Sequence, residues 1–157
     1  MDWTLLYGFC AALTLALTYL SGRTGLKSLA WLLALSWVVC NAISVMCAPP
    51  VRIVLYALVD VLWLALILRT AHVSPSARIV RIPLALLYFT GLCFHAGVFL
   101  DPTPNMRLYY TALNVIFALE LVTVATTGGW MFVQRTLRNH RPVPAHSGGV
   151  PHRKGAR

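Results

Sequence analysis

The chain has 157 residues, of which 59% are hydrophobic and 11% charged, with mean hydropathy +0.73 and a formal net charge of +9. A soluble domain carries about a quarter charged residues, and a domain this small has too little interior to hide so much apolar sequence. A water-soluble globule is therefore excluded. The positive charge falls in connections and in a tail, with no aromatic-interleaved basic patch, so anionic lipid headgroups explain it better than nucleic acid does.

Five apolar runs follow one another. Trp3 to Leu20 is the first and Ser28 to Cys47 the second. The third, Ile53 to Leu68, is short, but Arg52 and Arg69 flank it and can snorkel to the headgroups. Ile82 to Leu100 is the fourth, with Pro83 in its first turn, where proline is tolerated. The fifth starts at Leu108 and fades by Val133, with Gly128 and Gly129 late in it. A hydrocarbon core of about 30 Å needs roughly 20 helical residues, and lipid cannot satisfy exposed backbone groups. The runs do not alternate as barrel strands would. The expected fold is an all-α bundle of five transmembrane helices over residues 1–134, with spans at about 3–20, 28–47, 53–68, 82–100 and 108–133. Pro49 with Pro50, and Pro102 with Pro104, mark two of the breaks.

Residues 135–157 read as a basic, Pro- and Gly-rich tail, expected to be disordered. His140, His146 and His152 recur in it every six residues, which fits a solvated tail better than a metal site. Orientation follows from Lys and Arg. Alternate connections and the tail hold eleven of them, and the opposite set holds two, Arg52 and Arg107, thirteen in all. The positive-inside rule makes the first set cytoplasmic. The N-terminus is then outside, and Arg135, Arg138, Arg141, Arg153, Lys154 and Arg157 are expected to meet anionic headgroups. The expected location is a plasma membrane, in a bacterium the inner membrane. The start lacks the basic residues and small-residue site of a cleavable signal peptide.

Ionisable groups inside a membrane are costly and are functional suspects by default. Here they are Asp60, His95 and Glu120, joined by the amides Asn41 and Asn114. With a rise of 1.5 Å per residue, Asn41, His95 and Asn114 lie roughly 7 to 9 Å from the outer ends of their runs, Asp60 roughly 12 Å and Glu120 roughly 18 Å. Four helices thus bring polar groups to one band. Helical spacing places each group on a face: Ala30, Ala34, Trp37, Asn41 and Ser44; Tyr56, Asp60, Trp63 and Ile67; Tyr88, Gly91, His95 and Val98; Tyr110, Asn114, Phe117 and Leu121. Glu120 is turned about 120° from Asn114 and is expected to face a neighbouring groove or another subunit. Tyr7, Ala11, Thr14, Thr18 and Ser21 form a packing stripe on the first helix.

Two readings of the band compete. It is a hydrogen-bonded network that holds the helices together, or it is a polar path for protons, ions or a small solute, for which a histidine that changes charge near neutral pH is well suited. Catalysis is not expected: neither H-E-x-x-H nor G-x-S-x-G occurs, and a Ser36 or Ser44 dyad with His95 is a weak alternative. Cys10, Cys40, Cys47 and Cys93 form no C-x-x-C pair and act as small hydrophobes. No metal and no cofactor is expected; haem would find a single intramembrane histidine.

Trp37-x-x-x-Asn41, Asp60, His95 and Tyr109-Tyr110-x-x-x-Asn114 resemble features of small polytopic proteins of phages and prophages, holin-like ones included. The resemblance covers the helices and leaves out the tail, and familiar holins have fewer spans. It implies a homo-oligomeric channel or permeabilising protein of the inner membrane. Two alternatives stand beside it: a proton-linked small transporter or transporter subunit, and a non-enzymatic scaffold or immunity-type protein bound to another membrane protein.

Overall fold

The computed structural model describes residues 3–139 of the chain, and among these it is all-helical: α1 (Trp3–Ser21), α2 (Thr24–Met46), α3 (Pro49–Val73), α4 (Pro75–Leu100) and α5 (Met106–Asn139). Helices α2 to α5 are each long and apolar enough to cross a membrane; the apolar stretch of α1, Leu5–Ser21, is shorter. The surface agrees with that setting. Leu5, Phe9, Val45, Ile79, Phe89 and Trp130 are each more than half exposed, and such residues stand on every helix. A soluble protein does not present so wide an apolar surface. This is a multi-pass membrane protein.

Four helices differ from their sequence-predicted bounds, and α2 begins at Thr24, four residues before its apolar run. α3 begins four residues earlier than its apolar run because Pro49 and Pro50 fill its first turn, where the missing N–H costs nothing. α4 begins at Pro75 rather than at Ile82. Pro83 therefore lies inside the helix and not in its first turn; membrane helices accommodate this because neighbours and local adjustments re-satisfy the freed carbonyl. α5 runs through Gly128–Gly129 and on to Asn139, so Arg135 and Arg138 are helical and exposed rather than part of a disordered tail. The remainder of the expected tail, with Arg141, Arg153, Lys154, Arg157 and the three tail histidines, lies outside the described residues.

Connections of one to five residues force each helix to run antiparallel to the one before. α2 is the hub, packed on all four others, while α1 leans on α5 and α3 on α4. One end of the bundle carries the α1–α2 and α3–α4 turns and the end of α5. A side chain at Gly22 would strike Arg135, and one at Gly25 would strike Ser74. Arg23, Lys27, Arg69, Arg78, Arg81, Arg135 and Arg138 consequently gather there, and we call it the basic end. The other end carries Arg52 and Arg107.

The basic half of the bundle has a closed apolar core of Leu26, Leu29, Leu33, Ile67, Leu84 and Val124, each essentially buried. Hydroxyls in this apolar setting turn back on their own helices: Thr14, Thr70, Thr90, Thr123 and Thr127 donate to the carbonyl four residues earlier at 2.7–2.8 Å. α1 and α5 approach closely because small residues meet. A Cβ at Gly128 would stand 3.2 Å from Thr18 Cγ2 and 3.3 Å from its backbone nitrogen, whereas one at Gly129 meets nothing within 4 Å. Gly128→Leu is therefore expected to destabilise the protein by about 1–3 kcal/mol through overpacking, and Gly129→Leu by less than about 0.5 kcal/mol. Thermal unfolding in detergent checks the pair; equal stability would mean that α1 and α5 do not touch at this point.

Candidate functional site: a cavity lined by all five helices

Above the apolar core, toward the end opposite the basic one, the helices splay around a cavity of about 380 Å³. That is within the size range of small-molecule sites. α2 contributes Ser36, Trp37, Cys40, Asn41 and Ser44; α3 contributes Arg52, Tyr56 and Asp60. α4 adds Tyr88 and His95, α5 adds Tyr110, Asn114, Phe117 and Glu120, and Tyr7 of α1 completes the wall. Burial deepens along it. Asn114 at the mouth is exposed, Asp60 is 19% exposed, and Glu120 and Tyr88 at the floor are 4% and 2% exposed.

A hydrogen-bonded chain crosses three helices at this level. His95 Nε2 lies 3.0 Å from Asp60 Oδ2, and His95 Nδ1 lies 2.7 Å from Tyr109 Oη. One proton arrangement satisfies every member: neutral His95 donates from Nε2 to the Asp60 carboxylate and accepts at Nδ1 from the Tyr109 hydroxyl. With both nitrogens protonated, His95 donates to both partners and forms an ion pair with Asp60. The chain thus holds its geometry whether or not it carries an additional proton. Both ring nitrogens are used within the protein, so His95 has no position left for a metal or haem iron. Among the described residues no group of three or more His, Cys, Asp and Glu is placed to hold a metal.

The local sequence explains why the chain forms. A Cβ on Gly91 would lie 3.0 Å from Asp60 Oδ2, so the glycine leaves room for the carboxylate against α4. His95, one turn further on, then reaches it. Tyr109 and Tyr110 are neighbours with different tasks, since adjacent helical residues point about 100° apart. Tyr109 turns inward to His95, while Tyr110 packs edge-on against it at a 5.0 Å centroid distance and faces the cavity. Elsewhere, Tyr56 Oη donates to Cys40 O at 3.3 Å and Asn41 Nδ2 to Trp37 O at 2.7 Å.

The five polar residues singled out from the sequence all line this one cavity. Glu120 is the correction. It does not face a neighbouring groove or subunit but is buried at the cavity floor. The wall on α5 runs from Asn114 through Phe117 to Glu120 in steps of three. Each such step turns about 60° back around the helix, so a slanting ridge, not a straight face, carries the lining. Arg52 also differs. It lines the cavity instead of reaching only for headgroups, and its Nη2 donates to Cys47 O at 3.0 Å. Sequence reasoning passed over Tyr109 and Arg52 as site residues. Tyr109 carried a usable signal, because it lies at the same level as His95 across the α4–α5 turn.

Two buried polar atoms in the cavity wall lack a hydrogen-bond partner: Arg52 Nε near the mouth and Tyr88 Oη at the floor. Tyr88 has Ser36 and Glu120 as its polar neighbours. Among the described residues the only acid–base contact is His95–Asp60, which leaves Glu120 without a cationic partner. Fold and cavity together define a multi-pass helical membrane protein with a polar interior site. No protein-family model matches the chain, and neither do the curated proteins or the solved structures.

If Asp60, His95 and Tyr109 act as one unit, Asp60→Asn and Tyr109→Phe are each expected to cost about 0.6–2 kcal/mol, the range for hydrogen bonds between membrane helices. The double variant should cost less than the two added together, since breaking either link already loosens His95. Reversible unfolding in mixed micelles measures this, and strict additivity would show that the links are independent.

Proposed function

We propose that this protein is a proton-linked carrier of a small solute, or the membrane subunit of one, with the cavity as its solute site and the Asp60–His95–Tyr109 chain as its proton-bearing element. The observation that carries the reading is the shape of the cavity. It carries acidic, amide and hydroxyl groups among aromatic rings and extends from Ser44, Arg52 and Tyr110 near one end of the bundle to Tyr88 and Glu120, yet Leu33, Ile67, Leu84 and Leu121 close the bundle beneath it. A site open on one side and sealed on the other is what alternating access requires. A pore through the single chain would need a continuous polar path, and the apolar core interrupts it.

The rest of the reading follows from lipid and charge. All five helices cross the membrane, α1 included, because its end lies with the basic end and its Tyr7 with the cavity mouth. The basic end is cytoplasmic and the cavity opens outward. The membrane is a plasma membrane, with Arg135 and Arg138 among the residues that meet anionic headgroups. The chain works as a homo-oligomer, as small membrane carriers with few helices need further wall surface to move against. In a holin-like channel, by contrast, the conducting path would run between copies, and the cavity would be incidental to it.

Proteoliposomes loaded with a pH-sensitive dye separate these readings. A panel of small anions, neutral solutes and cations is added outside in turn. The wild type is expected to move protons only when a solute of one class is present, and His95→Gln, at equal folded protein, to lose that flux at least tenfold. Collapse of an imposed membrane potential with no solute added would replace the carrier with a channel. No solute-evoked proton movement with any class would overturn the reading.

A further inference from the structure

We propose that the solute class this cavity takes is an organic cation, a protonated amine or quaternary ammonium carrying an aromatic or aliphatic group. The assignment rests on the reading of the cavity as a solute site and goes beyond it.

Three observations point the same way. First, Glu120 is buried at the floor without a cation beside it, while the other acid of the cavity, Asp60, is already held by His95. An unpaired carboxylate in a dry interior is costly, and a ligand cation offsets that cost. Second, Tyr88 Oη stands buried at the same floor beside Glu120 and Ser36, outside full hydrogen-bond geometry with either. Third, the walls are aromatic. Tyr7, Trp37, Tyr56, Tyr88, Tyr110 and Phe117 line the space, and Tyr7 and Phe117 meet edge to face at a 5.8 Å centroid distance. Aromatic faces attract cations, most strongly where water is excluded. Carboxylate below and rings around form the combination that recognises ammonium groups. An anion would meet Glu120 and Asp60 as like charges and would gain nothing from the rings.

Arg52 is the one cavity residue of the opposite sense. It sits two turns of α3 from Asp60, roughly 12 Å along the axis, at the mouth. Its guanidinium is tied to the Cys47 carbonyl. It therefore does not neutralise the floor, and a cation that has passed it is bound by Glu120. The other titratable groups around the cavity are Tyr7, Cys40, Tyr56, Tyr110 and the Asp60–His95–Tyr109 chain, and none of these supplies a free positive charge next to Glu120.

The test uses the full chain in nanodiscs of neutral phosphatidylcholine, so that headgroups do not concentrate cations, and calorimetric titration with three probes of similar size. Benzyltrimethylammonium is expected to bind saturably at one site per chain, with benzoate and benzyl alcohol at least tenfold weaker. Glu120→Gln should weaken the cation at least tenfold. Phe117→Leu, which keeps every charge, should weaken the cation several-fold more than it weakens benzyl alcohol. Benzoate or benzyl alcohol binding as tightly as the cation, or undiminished cation binding by folded Glu120→Gln, would overturn the cation assignment while leaving the solute cavity in place. Binding of none of the three probes by protein with an intact unfolding transition would overturn the cation assignment. Loss of solute-evoked proton flux across the whole panel is what separately removes the carrier reading.

Discussion

The structure is organised by one constraint: a polar side chain inside a hydrocarbon layer must find its partner within the protein. Asp60, His95 and Tyr109 meet it together, through contacts of 3.0 and 2.7 Å that tie α3, α4 and α5 at one level. Gly91 exists where it does because Asp60 needs the space. The same rule sends threonine hydroxyls back onto their own helices and ties Trp63 Nε1 of α3 to the Leu32 carbonyl of α2 at 2.7 Å. Below this level the few buried polar groups, Thr14, Thr18, Ser21 and Trp63 Nε1, are met by backbone carbonyls, and the rest closes as an apolar core.

Against that background the unsatisfied groups stand out. A protein that found partners for His95 on both ring nitrogens left Tyr88 Oη and Arg52 Nε without them, and left Glu120 without a counter-charge. All three line the same cavity. Buried polar groups without partners cost roughly 1–3 kcal/mol each. Concentrating that cost at Glu120 and Tyr88 on the floor of one concave site is reasonable where a bound molecule offsets it, whereas Arg52 Nε, a donor on a cationic group at the mouth, stands apart from that argument. This asymmetry, more than the presence of polar residues in the membrane, favours a binding role over a purely structural one.

Much of this architecture was legible in the sequence, for physical reasons that differ by element. Hydropathy located every helix, because the length needed to cross lipid is set by the bilayer. Helix ends were less legible. The run 75–81 is polar enough to read as a connection, yet Pro75 starts α4 there, since a helix can leave the hydrocarbon and continue. Arg135 and Arg138 are helical for the same reason. The polar residues were found by their cost alone, and period-3.6 spacing put Asn41, Asp60, His95 and Asn114 toward one interior. Glu120 escaped that argument because a straight face is a poor description of a long helix in a bundle. The lining of α5 follows a slanting three-residue ridge, and this depends on how α5 crosses its neighbours, which periodicity does not contain. Tyr109 escaped because pairing across a turn depends on the turn's geometry.

The distribution of charge along the bundle axis bears on direction of transport. Seven Lys and Arg side chains crowd the basic end, whereas the cavity end has Arg52 and Arg107 with Asp101 beside them. A cation approaching the basic end meets a repulsive field as well as the sealed core. One approaching the cavity end meets a nearly neutral rim and then two carboxylates. Clefts with low-dielectric walls focus such fields, which draws a cation from the mouth toward Glu120. On the proposed reading, access from the cavity end is favoured electrostatically, and release to the other side requires Glu120 to lose its hold. A proton is the smallest ligand that does so, since protonation removes the charge that binds the cation. Asp60 and His95, which stand between the mouth and Glu120, are placed to deliver it. Proton and cation would then be coupled by competition for one carboxylate at the bottom of one cavity, with the Asp60–His95–Tyr109 chain as the proton's carrier to it.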